Sequence, residues 1–216
     1  MKNKIELLEY FGSDLMVTNV ARVSYGKFKD DFDDKDKKLI KYLVEHKHTS
    51  PFRHSQLQFR VKCPIYVERQ IFKHQVGIST NSISGRYVDF SDSYDIPNQL
   101  RYQSKDSKQG SSGDLEIEEN SYFVQKMNDL VKSAKELYSE MESAGIAKEQ
   151  CRAILPLCLE TTFIWTGSLL AFIHLCNLRI KPDTQKETRL VVEQMLELVK
   201  NIEGEPFKHT IKAFGL

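Results

Sequence analysis

Between Arg69 and Arg86 the chain brings together Arg69, Gln70, Lys73, His74 and Gln75, then Gly77, Ser79, Asn81, Ser82, Ser84, Gly85 and Arg86. A helix that ends in Arg, Gln, Lys and His and yields to a Ser/Asn/Gly loop offers many donors at short range. An anionic, hydrogen-bond-rich ligand such as a nucleotide needs such a set. On composition alone the same run also reads as a solvated cationic helix end. Its glycines form neither G-x-G-x-x-G nor G-x-x-x-x-G-K, which removes the dinucleotide fingerprint and the P-loop. A second polar run, His46 to His54, holds His46, His48 and His54 in a Pro-containing turn. That spacing lacks the i, i+4 geometry of a helical zinc pair, so no metal site is expected, and a surface turn and a ligand-binding turn both stay open. The third place is Asn177-Leu178-Arg179, at the end of an apolar run. Arg179 is either a partner of the helix dipole or a buried guanidinium waiting for a polar ligand. Arg152, one charge within Cys151-Arg152-Ala153-Ile154-Leu155-Pro156, poses the same choice.

The elements that must position these residues follow from period and punctuation. Ile5 onward reads as a short strand, a turn at Gly12 and Ser13, and a helix from Asp14 to Ala21 with Asp14 as N-cap. The charge run Lys27 to Lys38 has no apolar period and reads as a solvated loop, with helix resuming at Leu39, Ile40 and Leu43. Leu57, Phe59 and Val61 alternate with polar residues, which predicts a half-buried strand over 55–62. Pro64 opens a helix to about 74. The segment from Gly77 reads as a loop that ends in a β-type run at Arg86 to Phe90. Gln103 to Ser121 is the most polar, Gly/Ser-rich window and reads as a mobile insertion in a single domain spanning 1–216. Farther on, Phe123, Met127, Leu130, Ala134, Leu137, Met141 and Ala144 keep a three-four spacing that Gly145 closes. A helix carrying Cys151 and Ile154 is cut at Pro156. Thr166 to Ile180 reads as a buried helix, and Thr184-x-x-Glu187 as a capping box that opens a last amphipathic helix. Strands early and helices late, the C-terminal half being helical, argue an α+β class.

Composition narrows the function further. The chain has 216 residues, 40% of them hydrophobic. At that length a single core can bury roughly 70% of the unfolded surface without staples. Lys plus Arg is 31 against 30 for Asp plus Glu, a formal net charge of +1. No global field is available to hold a nucleic-acid polymer or an acidic membrane. The four cysteines form no C-x-x-C pair, and no stretch reads as a signal peptide or a membrane span, so the expected place is a reducing, cytoplasmic one.

Ser79-x-Asn81-x-x-Ser84-x-Arg86, preceded by Lys73-His74-Gln75 with one extra residue before Ser79, resembles the R-H-R-x-x-S-x-N-x-x-S-x-R motif of the flavin-dependent thymidylate synthases. Ala21-Arg22-Val23-Ser24, His48-Thr49-Ser50-Pro51-Phe52, Pro64-Ile65-Tyr66-Val67, Arg152-x-Ile154-Leu155-Pro156, Trp165-Thr166-Gly167-Ser168 and Leu178-Arg179 fall in that family's order, over about residues 15 to 200. The resemblance implies an antiparallel sheet flanked by helices. It also implies conversion of dUMP to dTMP, with methylenetetrahydrofolate as carbon donor and FAD, reduced by NADPH, as hydride source. A homotetramer with sites shared between subunits would follow. Carried over, Gln70, Lys73, Ser82, Ile83, Ser84, Gly85, Arg86, Arg152 and Arg179 would bind dUMP. His48, Ser50, Lys73, His74, Gln75, Asn81, Ser82, Ser168 and His174 would line the FAD site. The chain departs from the pattern at Ser82, where the family usually has Glu, and at Lys73-His74-Gln75. After Arg179 it reads Lys181-Pro182-Asp183-Thr184-Gln185 instead of an acidic-x-His-Ala-Gln continuation.

The chemistry that the resemblance implies singles out Arg179 and Ser84 as the catalytic pair. Making C5 of uracil nucleophilic requires negative charge on the ring, and a fixed guanidinium such as Arg179 against N3 and O2 stabilises it. Ser84 reads as a hydrogen-bond donor, since an alcohol nucleophile needs a base and His74 is the only candidate in its neighbourhood. Two other classes stay open. A cysteine-type thymidylate synthase needs an activated thiolate, and Cys63 lacks the flanking residues of that family. A non-catalytic nucleotide-binding or assembly protein on the same fold would rest on Ser82 and Gln75.

Overall fold

The computed structural model describes residues 4–88, 93–105 and 110–216. In chain order the elements are β1 (Lys4–Phe11), α1 (Asp14–Arg22), α2 (Asp34–Glu45), β2 (Gln56–Pro64), α3 (Ile65–Ile71), β3 (Ile78–Ser82), β4 (Arg101–Gln103), β5 (Ser111–Asp114), α4 (Ile117–Ser143), α5 (Lys148–Cys151), β6 (Glu160–Ser168), α6 (Leu169–Arg179), α7 (Lys186–Lys200) and α8 (Lys208–Ala213). Four strands form an antiparallel sheet in the order β1-β2-β6-β3, and β4 pairs with β5 in a separate ribbon. The expected α+β class with an antiparallel sheet and flanking helices is what the chain adopts.

Alternation decides which face of the sheet is covered. Leu57, Phe59, Val61 and Cys63 of β2 are fully buried, and in register beside them stand Gly167, Trp165, Phe163 and Thr161 of β6. Phe59 and Trp165 meet edge to face at 5.9 Å, and Phe172 of α6 stacks on Phe59 at 5.8 Å. Such aromatic contacts add to the area the rings bury. Gly167 is required here, because a Cβ on it would lie 2.6 Å from Cη2 of Trp165. Helix α6 is apolar nearly all round and lies inside, with α7 presenting Val191, Val192, Met195 and Val199 to the same core.

Several elements differ from their sequence reading, each for a local reason. The cap of α1 is Ser13, whose hydroxyl accepts from Met16 N at 3.2 Å, while Asp14 turns inward to accept from His209 N and Thr210 N. The 27–38 charge run is not wholly solvated. Asp33 caps α2 in a capping box, and Asp36 is fully buried against Arg22 and Lys29. The loop expected from Gly77 contains edge strand β3. The turn after it carries no strand at 86–88, and Asp89 and Phe90 lie outside the described residues. Residues 103–121 divide between the β4–β5 ribbon and the first turns of α4, with 106–109 outside the described residues. Thr166 to Ser168 close strand β6 instead of opening a helix. No capping box opens α7: Thr184 Oγ1 donates to Leu178 O at 3.1 Å, and Glu187 pairs with Arg101. The three-four stripe of α4 points outward, Leu130 being 64% exposed, while Val131 and Tyr138 face inward.

Candidate functional site

Arg179 is the last residue of α6, and the helix that carries it is anchored by seven buried side chains. Its guanidinium is half-buried and reaches the C-terminal end of α3. Nε donates to His74 Nε2 at 2.9 Å, and Nη2 donates to the main-chain oxygen of Gln70 at 3.2 Å. These are its partners among the described residues, and neither is a carboxylate. Burial lowers the Arg179 pKa from its ordinary value, a sign that the cation has lost water without gaining an anion. The Arg179 side-chain bonds thus reach across to the end of α3, to His74 and the Gln70 carbonyl. An arginine N–H can only donate, so His74 must accept through Nε2 as the neutral ring. Burial first, then the charge of Arg179 and of His174, depress its pKa. The Gln70 side chain is held in turn, its Oε1 accepting from Thr188 Oγ1 at 2.9 Å.

A second group gathers where β3 ends. Ile83 N donates to Thr162 O at 2.8 Å, which ties the start of the turn to β6. Tyr87 N and Val88 N both donate to Ser84 O, at 3.0 and 3.2 Å, so Ser84, Gly85 and Arg86 form a compact turn. Ser84 and Gly85 are half-buried, and Arg86 is exposed without an ion-pair partner among the described residues. Ser82 Oγ donates to Glu68 Oε1 at 2.8 Å. Burial raises the Glu68 pKa, and the Ser82 hydrogen bond only partly offsets it. The sequence reading did not single out Glu68, although its place on α3 two residues before Gln70 was the available signal. Its carboxylate now stands beside the position where the family pattern has Glu and this chain has Ser82.

Of the residues expected to line a flavin site, Ser168 and His174 belong to α6 and its cap, whereas Asn81 and Ser82 lie along β3 opposite Ile164 and Phe163 of β6. Ser168 is buried and caps α6 by accepting from Ala171 N at 3.2 Å. Its N–H donates to Gly77 O at 3.1 Å, and a Cβ on Gly77 would lie 3.3 Å from Ser168 Oγ. With His74 on Arg179 and Gly77 on Ser168, the 74–77 segment runs beside α6 from its last residue to its cap. Gly77 turns there with φ +73°, a conformation an L side chain resists. Lys73, Gln75, Asn81 and His174 are exposed, and Lys73 has no ion-pair partner among the described residues. His48 and Ser50, both exposed, stand at a turn that packs against α6. An unpaired cation, exposed amide and imidazole groups and a glycine-bearing turn are a donor set that fits a phosphate-bearing flavin. Arg152 is exposed on a helical turn after α5. Among the described residues no hydrogen bond or ion pair joins Arg152 or the Ser82–Arg86 turn to the Gln70, His74 and Arg179 cluster. A cavity of about 600 Å³ lined by Tyr66, Leu100, Arg101, Met127, Cys158 and Glu187, among others, contains none of the expected site residues.

The family model described as thymidylate synthase complementing protein matches residues 6–203. A flavin-dependent thymidylate synthase of Thermus thermophilus is 37% identical over 199 residues, covering 92% of this chain and 72% of the relative. A flavin-dependent thymidylate synthase of Thermosipho africanus is 35% identical over 218 residues, covering 99% and 91%. Among solved structures, a UMP/dUMP methylase PolB from Streptomyces cacaoi bound with 5-Br dUMP superposes with a TM-score of 0.87 at 27% identity, covering 99% of this chain and 95% of that one.

Proposed function

The chain belongs to the flavin-dependent thymidylate synthase family, and from that premise we propose that it methylates dUMP at C5 to give dTMP, with methylenetetrahydrofolate as carbon donor and FAD, reduced by NADPH, as hydride source. The observation that carries this reading is the half-buried Arg179, whose partners His74 and the Gln70 carbonyl are both neutral. A half-buried cation with neutral partners favours an anion, and a pyrimidine ring ionised at N3 supplies one. Arg179 would stabilise the ring anion from which C5 attacks, while Ser84, Gly85 and Arg86 bind the nucleotide and Arg86 or Arg152 meets its phosphate. Lys73, Gln75, Asn81 and His174 would hold the flavin, which supplies the hydride chemistry when bound. The exposed apolar stripe of α4, and the lack of a bond between the Arg179 cluster and the Ser84 turn among the described residues, suit an oligomer in which two copies complete each site, which we read as the family's homotetramer. Each copy is read as one domain spanning 1–216, and its four free cysteines suit a reducing, cytoplasmic place.

The test separates the half-reactions. Arg179→Lys keeps the charge and loses the planar fork, so dTMP formation should fall on the order of 10²-fold, as when one preorganised donor is removed. Bleaching of the flavin absorbance by NADPH should persist. Equal loss in both half-reactions would give Arg179 a structural role, and a wild-type chain that takes up no FAD at low ionic strength would refute the flavoenzyme reading.

A further inference from the structure

Thr188 lies in the first turn of α7 and is fully buried, so no substrate can touch it. Its hydroxyl is nonetheless not spent on its own helix: Oγ1 crosses to α3 and donates to Gln70 Oε1 at 2.9 Å. A primary amide has one acceptor end and one donor end, and holding the acceptor end fixes where the donors point. With Oε1 taken up by α7, the Nε2 group has no partner among the described residues, and it is not one of the buried, unpartnered atoms. The same residue's main-chain oxygen receives Arg179 Nη2, so the guanidinium and the Gln70 amide are held from one stretch of backbone.

The geometry points to Thr188 as a positioning residue that commits the Gln70 amide to present N–H donors to the substrate, and so selects an acceptor oxygen there, a pyrimidine carbonyl or a phosphate oxygen. This rests on the reading of Gln70 and Arg179 as nucleotide-binding groups. Without the hydroxyl, the amide is free to turn and offer its oxygen, which an acceptor on the nucleotide repels. No residue between Thr188 and the substrate other than Gln70 is needed, and that makes the inference testable by coupling.

Thr188→Val removes the hydroxyl and keeps the branched shape. The KM for dUMP should rise about 2- to 12-fold, the range for one neutral hydrogen bond, with kcat and NADPH-driven flavin reduction nearly unchanged. Thr188→Ser should restore the KM. In a Gln70→Ala background the valine substitution should add nothing, because the interaction it removes is already absent. If Thr188→Val folds poorly, the serine variant together with Thr188→Ala in both backgrounds gives the same coupling. Additive effects of the 188 and 70 substitutions, or a Thr188→Val enzyme with an unchanged KM, would overturn the inference while leaving the function intact. A wild-type chain that binds no dUMP in equilibrium dialysis would overturn the parent reading, and this inference with it.

Discussion

At the scale of single residues the pairing of His74 with Arg179 decides which chemistry Ser84 can do. A serine attacks a carbon only when a base takes its proton, and the one lone pair that neutral His74 offers at Nε2 is engaged by Arg179 Nε. With His74 so engaged and the neighbouring Glu68 Oε1 accepting from Ser82 Oγ, Ser84 is expected to act as a hydrogen-bonding group within its turn. Ser84→Ala should keep measurable dTMP formation with a requirement for dUMP raised about 2- to 12-fold, and Ser84→Cys should bring no gain. A protein–nucleotide adduct mapping to residue 84 would restore the nucleophile. His74 also sets a pH limit. Its folded pKa is depressed by burial, then by Arg179 and His174, so the stability it contributes is complete above the ordinary imidazole value of about 6.5 and is lost as pH falls through the lowered one. Protonation removes the acceptor and sets two cations face to face. His74→Gln keeps an acceptor without a titrating group, so its ligand-free melting temperature should fall less than the wild type's as the solution is acidified. Parallel curves would show that other groups govern the acid limb.

Among the elements, those with a clean period were legible in the sequence and those whose period was masked were not. β2 declared itself because Leu57, Phe59 and Val61 alternate with polar residues against a one-sided core. β6, the strand at its side, did not: its β-branched and aromatic run leads without a break into the apolar α6, and the change of period falls at Ser168, which serves as the helix cap. β3 was hidden for the opposite reason. It is an edge strand of small polar residues, nearly all exposed, so it has no buried face to leave a pattern. The candidate site divides in the same way. Its residue types stood in recognisable order, whereas Glu68 and Thr188 join it only through contacts that cross from one element to another. Asp36 shows how a charge run misleads, since one of its carboxylates is buried between Arg22 and Lys29. Burial alone would raise its pKa, but hydrogen bonds from Lys29, the Asp33 N–H and Arg22 hold it well below the usual carboxylate range. Asp36→Asn leaves those cations without their anion and should cost about 3 kcal/mol, the low end for breaking a buried pair because Lys29 keeps some water. The urea midpoint measures it, and an unchanged midpoint would mean that the pair contributes nothing net.

For the whole molecule the open question is how the two groups of site residues meet. Within one chain, Gln70, His74 and Arg179 form one cluster, and Ser82 to Arg86 another at the end of β3, with no bond between them among the described residues. The long helix α4 meanwhile turns Phe123, Leu130 and Leu137 outward in a row, a face that a lone chain would leave in water at a cost in free energy. A closed oligomer would resolve both at once, by covering the row and placing the cluster of one copy against the turn of another. Arg179→Ala and Arg86→Ala should each abolish dTMP formation alone. If each site takes Arg179 from one copy and Arg86 from a different one, co-expressing the two inactive chains creates some sites with both arginines intact. Random assortment of equal amounts makes that fraction about one quarter, because each of the two contributing copies has an even chance of being the chain intact at the residue it supplies. Co-expressed and co-purified mixtures should therefore recover about a quarter of wild-type turnover. If both arginines come from the same copy, every site in the mixture lacks one of them, and a mixture as inactive as its components, despite proven hetero-oligomers, would place each site within a single chain.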